Sequence, residues 1–185
     1  DSCPDCPNYG TISNHPELFN INIGDVGTAS GPGGANADWI HLNAIDYHEE
    51  WGQIALSSRY QSEIFVIDHE TTTEEAASHS GGNYGKGGDF LYRWGNPQNY
   101  GRGSASNHIL ADQHSINWIP EGYPGESNLI LFNNFHTNNS SAVLEIITPI
   151  TQSGNYTIED NQPFGPDTYA WIHSGGFYSQ AQGGA

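Results

Sequence analysis

An all-β fold built from repeated four-stranded sheets is what this sequence predicts, and three observations carry the expectation. Apolar residues alternate with polar ones in short runs bounded by Gly, Pro, Asn and Ser, the pattern of half-buried strands. Two segments begin alike: Asp38-Trp39-Ile40-His41-Leu42-Asn43 is echoed by Asp112-Gln113-His114-Ser115-Ile116-Asn117, which sets the histidines at 41 and 114 a total of 73 residues apart. No run of about 18 apolar residues could span a bilayer. Yet the 185-residue length, 35% hydrophobic content, five Trp, ten Tyr and seven Phe suffice for one packed core.

Residues 1–37 read as an N-terminal segment with a loop. Its Cys3-Pro4-Asp5-Cys6 pair has no second Cys or His pair nearby, so a local disulfide or two terminal thiols is favoured over a zinc or redox motif. Residues 38–111 form a first unit, with strands expected at 39–45, 53–59, 63–68 and 90–94. In the first strand Ile40, Leu42 and Ala44 share one face, and His41 and Asn43 take the other, because side chains alternate along a strand. In the second, Ile54, Leu56 and Ser58 oppose Ala55, Ser57 and Arg59. Residues 71–79 suit one or two helical turns, with a Thr cap and Glu in the first turn. The glycine-rich run that follows, residues 81–88, lacks the order of a phosphate loop, since Lys86 is followed by glycine, and reads as a flexible connector.

Residues 112–185 repeat the plan, with strands at 128–133, 142–146 and 168–173, and with residues 177–185 as the start of a further strand. Repeated four-stranded sheets are the mark of a β-propeller, whose blades run to about 40–45 residues and lengthen when loops carry insertions. Two long blades fit this chain. A ring needs roughly four to eight blades, so the chain reads as part of a larger protein.

Four basic residues (Arg59, Lys86, Arg93, Arg102) stand against 21 acidic ones, for a formal net charge of −17. Nucleic acid is excluded as a partner by that balance, because phosphate contact requires clustered Lys and Arg. The acid excess reads as solvation, and calcium has no Asp-x-Asp-x-Asp loop to support it. Zinc would want three or four closely spaced ligands, and no HExxH pair occurs. Asn138, Asn139 and Asn155 open Asn-x-Ser/Thr triplets to which no function is assigned. His15, His48, His69, His79, His108, His136 and His173 have no repeat register and read as loop or surface residues.

In a propeller, His41, Arg59 and His114 would converge on the central channel. A neutral imidazole is a nucleophile, and a guanidinium can hold an anionic group through two parallel hydrogen bonds. The pair suits sulfuryl or phosphoryl transfer, in which the protein mainly positions the group and neutralises charge on its oxygens. A monoanionic sulfate ester asks for less positive charge than a phosphoryl dianion, which suits so acidic a chain.

The segments Asp38-Trp39-Ile40-His41-Leu42-Asn43-Ala44-Ile45-Asp46-Tyr47, Ser57-Ser58-Arg59, Val66-Ile67-Asp68-His69, Gly81-Gly82-Asn83, Gly85-Lys86-Gly87-Gly88-Asp89, Tyr92-Arg93-Trp94-Gly95-Asn96-Pro97 and Asp112-Gln113-His114 resemble the bacterial arylsulfate sulfotransferase family. The resemblance implies a six-bladed propeller, of which this chain would hold about two blades. It also implies transfer of a sulfuryl group from a phenolic sulfate donor to a phenol acceptor, with no cofactor and without the nucleotide donor PAPS. By the same resemblance His114 is the nucleophile, His41 and Arg59 hold and polarise the sulfate, and Asn43 joins them in binding substrate. Arg93 and Asn96, on an outer strand, read as structural. An extracytoplasmic location is implied, with no membrane span and with a homodimer as the candidate assembly. The family's further channel histidine, from an earlier blade, has no match upstream of His41. These 185 residues alone are therefore expected to be inactive while the whole protein is active. The rival readings are a non-catalytic extracellular propeller used for binding or structure, and a sulfatase that passes the group to water.

Overall fold

The computed structural model describes residues 10–23, 30–31, 34–35, 38–137 and 139–185. Cys3, Cys6 and Asn138 lie outside these residues, as does much of the 1–37 segment. A two-residue antiparallel pair, β1 (Ser30–Gly31) and β2 (Gly34–Ala35), precedes two antiparallel four-stranded sheets. The first is a meander of β3 (Leu42–His48), β4 (Gln53–Ser58), β5 (Glu63–Asp68) and β6 (Phe90–Trp94). The second repeats the order with β7 (His114–Trp118), β8 (Leu129–Thr137), β9 (Ser140–Ile146) and β10 (Trp171–Ser174). The fold is all-β, and its single α-helix among the described residues is the one-turn α1 (Thr73–Ala76).

Alternation puts the core between the sheets. Ala55, Ile64, Val66 and Trp94 of the first sheet meet Ile116, Trp118, Leu129, Leu131, Leu144 and Ile146 of the second, all buried in one cluster. Each fully buried Leu or Ile contributes about 1.5–3 kcal/mol of transfer free energy, so this layer is what fastens the sheets together. β5 is apolar on both faces, and its outer face is covered too: Phe65 stacks on Phe90 at 4.4 Å, with the Phe19 ring edge-on to both. Arg93 is fully buried on β6, where Nε and Nη2 donate to the two Glu63 oxygens at 2.9 and 2.6 Å. Nη1 of the same guanidinium donates to the Leu18 carbonyl at 3.0 Å, and its plane lies 4.4 Å from the Tyr100 ring centroid.

The strand bounds expected for β5 and β6 agree with the structure, and β4 ends one residue early, at Ser58. β3 departs from expectation. It begins at Leu42, His41 stands before it with a left-handed backbone (φ 50°), and the pairing with β4 slips between Leu42 and Ala44. That bulge adds one residue, which exchanges the faces of everything beyond it. Leu42 is 53% exposed and Ile45 is 68% exposed, while Ala44 turns to the core, so the shared face expected for Ile40, Leu42 and Ala44 does not form.

The last strand of the second sheet starts at Trp171 rather than at 168. Residues 177–185 form no strand, which corrects the expectation of a further one. Their polar backbone is used differently: the Phe177 carbonyl accepts from the Ser141 amide, and those of Ser179 and Gln182 accept from the Asn134 side chain.

Thr72 caps α1 as expected: its hydroxyl accepts from the Glu75 amide at 3.2 Å, and a Glu75 oxygen accepts from the Thr72 amide at 2.8 Å. The glycine run is a closed loop, not a slack connector. Gly87 and Gly88 donate to the carbonyls of Gly81 and Ser78, Tyr84 donates to the Asp68 carboxylate at 3.1 Å, and a Cβ on Gly82 would lie 2.3 Å from that carboxylate. Its amides serve the protein's own oxygens, which leaves them unsuited to cradling a phosphate.

Candidate functional site

The two echoing segments lie side by side, because β7 runs close against β3 and β4. Side chains of β3 tie the strands together along their length. Asn43 Nδ2 donates to the Gln113 carbonyl at 2.7 Å, Asp46 Oδ2 accepts from the Trp118 amide at 2.7 Å, and His48 Nε2 meets the Ser127 hydroxyl at 3.2 Å. Gln113 completes the junction from the other side. Fully buried, its amide nitrogen reaches the carbonyls of Ser58 and Glu63 at 2.8 and 2.9 Å.

Both edge strands, β3 and β7, are irregular where the candidate residues sit. β7 pairs with β8 at His114 and again at Asn117, with a register shift between, just as β3 slips at Asn43. His41, Asp112 and Ser115 all have positive φ (50°, 54° and 57°), a conformation that costs a non-glycine residue of order 1–3 kcal/mol and is concentrated at functional sites. Bulges at strand ends re-aim side chains. Here they bring the side chains of two edge strands to the same corner.

At that corner the backbone amide of Arg59, one residue past β4, donates to the His41 carbonyl at 3.1 Å. Arg59 therefore reaches the site from the end of the second strand of its sheet. Its Nη2 donates to Asp112 Oδ2 at 2.6 Å, and its guanidinium carbon lies 5.3 Å from the centroid of the Tyr60 ring. That ring in turn is 5.0 Å from the His41 imidazole. His41 Nδ1 is hydrogen-bonded to the Asp38 carboxylate. His114 Nδ1 is shared between the Asp112 carbonyl at 2.9 Å and Asn134 Oδ1 at 2.8 Å, and its side chain is buried.

Asp112 is thus the hub of the site, with its carboxylate on Arg59 and its carbonyl on His114. Arg59 is linked to His41 through backbone and the Tyr60 ring, and to His114 through Asp112. Asn43 lies beside them, with Nδ2 committed to backbone and Oδ1 buried without a hydrogen-bond partner. No local pattern gives a role to Asp38, Asp112 or Asn134. Asp112 stands close before His114 in sequence, but the partner of its carboxylate is 53 residues away. Asn134 carried one local signal, a polar residue following the apolar run 129–132 of a strand, where a buried amide must find partners.

His48 differs from the surface reading given to it. It ends β3 half-buried, stacked on Trp51 at 3.8 Å and edge-on to Trp118 at 5.4 Å, and burial pulls its pKa down against the opposing pull of Glu50 and Asp46. No group of three or more His, Cys, Asp or Glu suited to holding a metal ion occurs among the described residues, and no helix there is long and apolar enough to cross a membrane.

An imidazole with one nitrogen anchored on neutral oxygens, near a guanidinium, has the components that nucleophilic group transfer uses. The chain belongs to the arylsulfotransferase (ASST) family, whose model matches residues 15–163 of the 185. That span includes both four-stranded sheets up to β9 and every candidate residue named above. No curated protein matches the chain.

Proposed function

We propose that the protein is a PAPS-independent aryl-sulfate sulfotransferase that passes a sulfuryl group between phenols by way of a sulfohistidine at His114. The observation that carries this reading is the anchoring of His114: Nδ1 is occupied by two oxygen acceptors, which leaves Nε2 as the reacting nitrogen, in a chain of the arylsulfotransferase family. In the first half-reaction the Nε2 lone pair forms an N–S bond as the ester S–O bond breaks, and the electron pair leaves on the donor phenolate. In the second, the oxygen of the acceptor phenol attacks sulfur, the N–S bonding pair returns to Nε2, and the phenol proton is released, which balances the proton taken up by the first phenolate.

Arg59 faces charge on the sulfuryl oxygens. Because Asp112 already takes one of its nitrogens, it suits a monoanionic ester. In this role His41 acts as an imidazolium, with Nδ1–H on the Asp38 carboxylate and Nε2–H donated to a sulfate oxygen or to the leaving phenolate. Asn43 acts here through backbone: giving Nδ2 to substrate would cost the Gln113 carbonyl its bond, so its part is to hold the Gln113–His114 turn.

The fold reading that goes with this function is two blades of a six-bladed propeller, units 38–111 and 112–185, with β3 and β7 innermost. Exposed Leu42, Ile45 and Tyr47 on one flank, and Trp171 on the other, suit faces that neighbouring blades cover. The isolated 185 residues are accordingly inactive, and the whole protein acts outside the cytoplasm on phenolic sulfate and phenol, as a homodimer and without cofactor.

Mass spectrometry of the full-length protein after exposure to 4-nitrophenyl sulfate tests the mechanism. A one-sulfuryl adduct is expected on the His114 peptide. Its absence, with turnover intact in His114→Ala, sinks the mechanism, and absence of turnover in the wild type favours a binding module.

A further inference from the structure

Asn134, on β8, is fully buried, and its side chain is hydrogen-bonded to His114. Its amide orientation follows from its surroundings. Nδ2 lies 3.0 Å from the Ser179 carbonyl and 2.7 Å from the Gln182 carbonyl, two groups that only accept. Turning the amide over would set Oδ1 against both oxygens, so Oδ1 is the atom that faces His114. The other partner of His114 Nδ1 is the Asp112 carbonyl, again an acceptor only. With oxygen on both sides, Nδ1 must carry the ring hydrogen.

We propose that Asn134 is the positioning residue of the sulfuryl-transfer site: locked by the two carbonyls, its Oδ1 holds the His114 proton on Nδ1 and keeps the lone pair on Nε2. This rests on His114 being the nucleophile, as proposed above. The neutral amide has a second consequence. Formation of the N–S bond leaves positive charge on the ring, and the two oxygens on Nδ1–H are already aligned to stabilise it without reorganisation. A carboxylate in the same place would draw a second proton onto the ring and occupy the reacting nitrogen; a side chain without an acceptor would leave the tautomer to the Asp112 carbonyl alone. Asn is the residue type that avoids both.

The lock also depends on residues 179–182, which cross over β8 at this point. Ser141 secures them, its hydroxyl donating to the Asn134 carbonyl at 2.8 Å and accepting from the Ser179 amide at 2.9 Å. Asn134 therefore couples the chain after β10 to the nucleophile.

Long-range proton–nitrogen NMR of the histidine-labelled full-length protein, with His114 assigned by loss of its signals in His114→Gln, reads the tautomer directly. The wild type is expected to show Nδ1 protonated and Nε2 bare, and the reverse pattern overturns the proposal whatever the variants do. Asn134→Ala is expected to mix the tautomers and to lower kcat by about 10–100-fold, the size typical for loss of an outer partner of a functional imidazole, with the KM for donor unchanged. Asn134→Asp restores an acceptor, so it is expected to recover the tautomer and to move the acid limb of the kcat/KM profile to higher pH. A folded Asn134→Ala protein with wild-type tautomer and kcat overturns the positioning role. Should Asn134→Ala not fold, the wild-type spectrum and Asn134→Asp decide. Full turnover in His114→Ala would instead overturn the nucleophile assignment, a result that the tautomer measurement does not share.

Discussion

Asp112 accepts a hydrogen bond from Arg59 at 2.6 Å, and this ion pair joins the end of β4 in one sheet to the start of β7 in the other. The same Asp112 meets the His114 ring through its backbone carbonyl, so one residue contacts both the guanidinium and the imidazole. The two imidazoles of the echoing segments are thereby distinguished by their partners. His41 is anchored on a carboxylate, His114 on two neutral oxygens. The first arrangement suits a ring that donates, and the second one that attacks.

Replacement of Arg59 by Ala is expected to lower kcat for sulfuryl transfer by roughly 10²–10³-fold, the range for loss of one preorganised donor at a developing charge. Arg59→Lys should recover little, because one ammonium cannot keep Asp112 and also meet the sulfuryl oxygens through a planar fork. Steady-state kinetics of the full-length protein with 4-nitrophenyl sulfate would show this, and near-wild-type turnover in Arg59→Lys would argue against the shared guanidinium.

Arg93→Ala is expected to destabilise the protein by roughly 3–5 kcal/mol, because it leaves a carboxylate buried and unpaired. Burial pushes the Glu63 carboxyl up against the pull of Arg93, and both side chains have no exposure. The double change Arg93→Met with Glu63→Gln should be milder than Arg93→Ala alone. Urea unfolding midpoints of the three proteins check it, and equal midpoints for wild type and Arg93→Ala would refute the assignment.

Stability should fall on acidification through His48. Its folded pKa lies below the ordinary histidine value, so the unfolded chain takes up the proton first, and the contribution present above about pH 6.5 is lost as pH drops through the folded pKa. His48→Phe keeps the stack on Trp51 and cannot titrate. Its unfolding midpoint is expected to fall less than that of the wild type between pH 7.5 and pH 5, and parallel curves for the two proteins would remove His48 as the cause.

Much of the fold was legible because its signals are local. β5 and β6 announce themselves by apolar runs, α1 by Thr72 and Glu75 three residues apart, and the repeat by two matching histidine segments. β3 was legible as a strand but not in its facing. One bulge residue, which no pattern in residues 39–45 marks, exchanges the buried and exposed sides.

The site divides in the same way. Residue type and the repeat were enough to single out His41, Arg59 and His114, and family resemblance to rank them. The roles of Asp112 and Asn134 were not legible, since their bonds to Arg59, Ser179 and Gln182 span 53, 45 and 48 residues. The sequence by itself determined the strands, the repeat and the family, because alternation, capping and motif are written over a few neighbouring positions. Only the tertiary structure decided which groups meet His114 Nδ1 and which residue holds Arg59. Hydrogen bonds of that kind depend on where two sheets meet, and this is set by packing of the core between them.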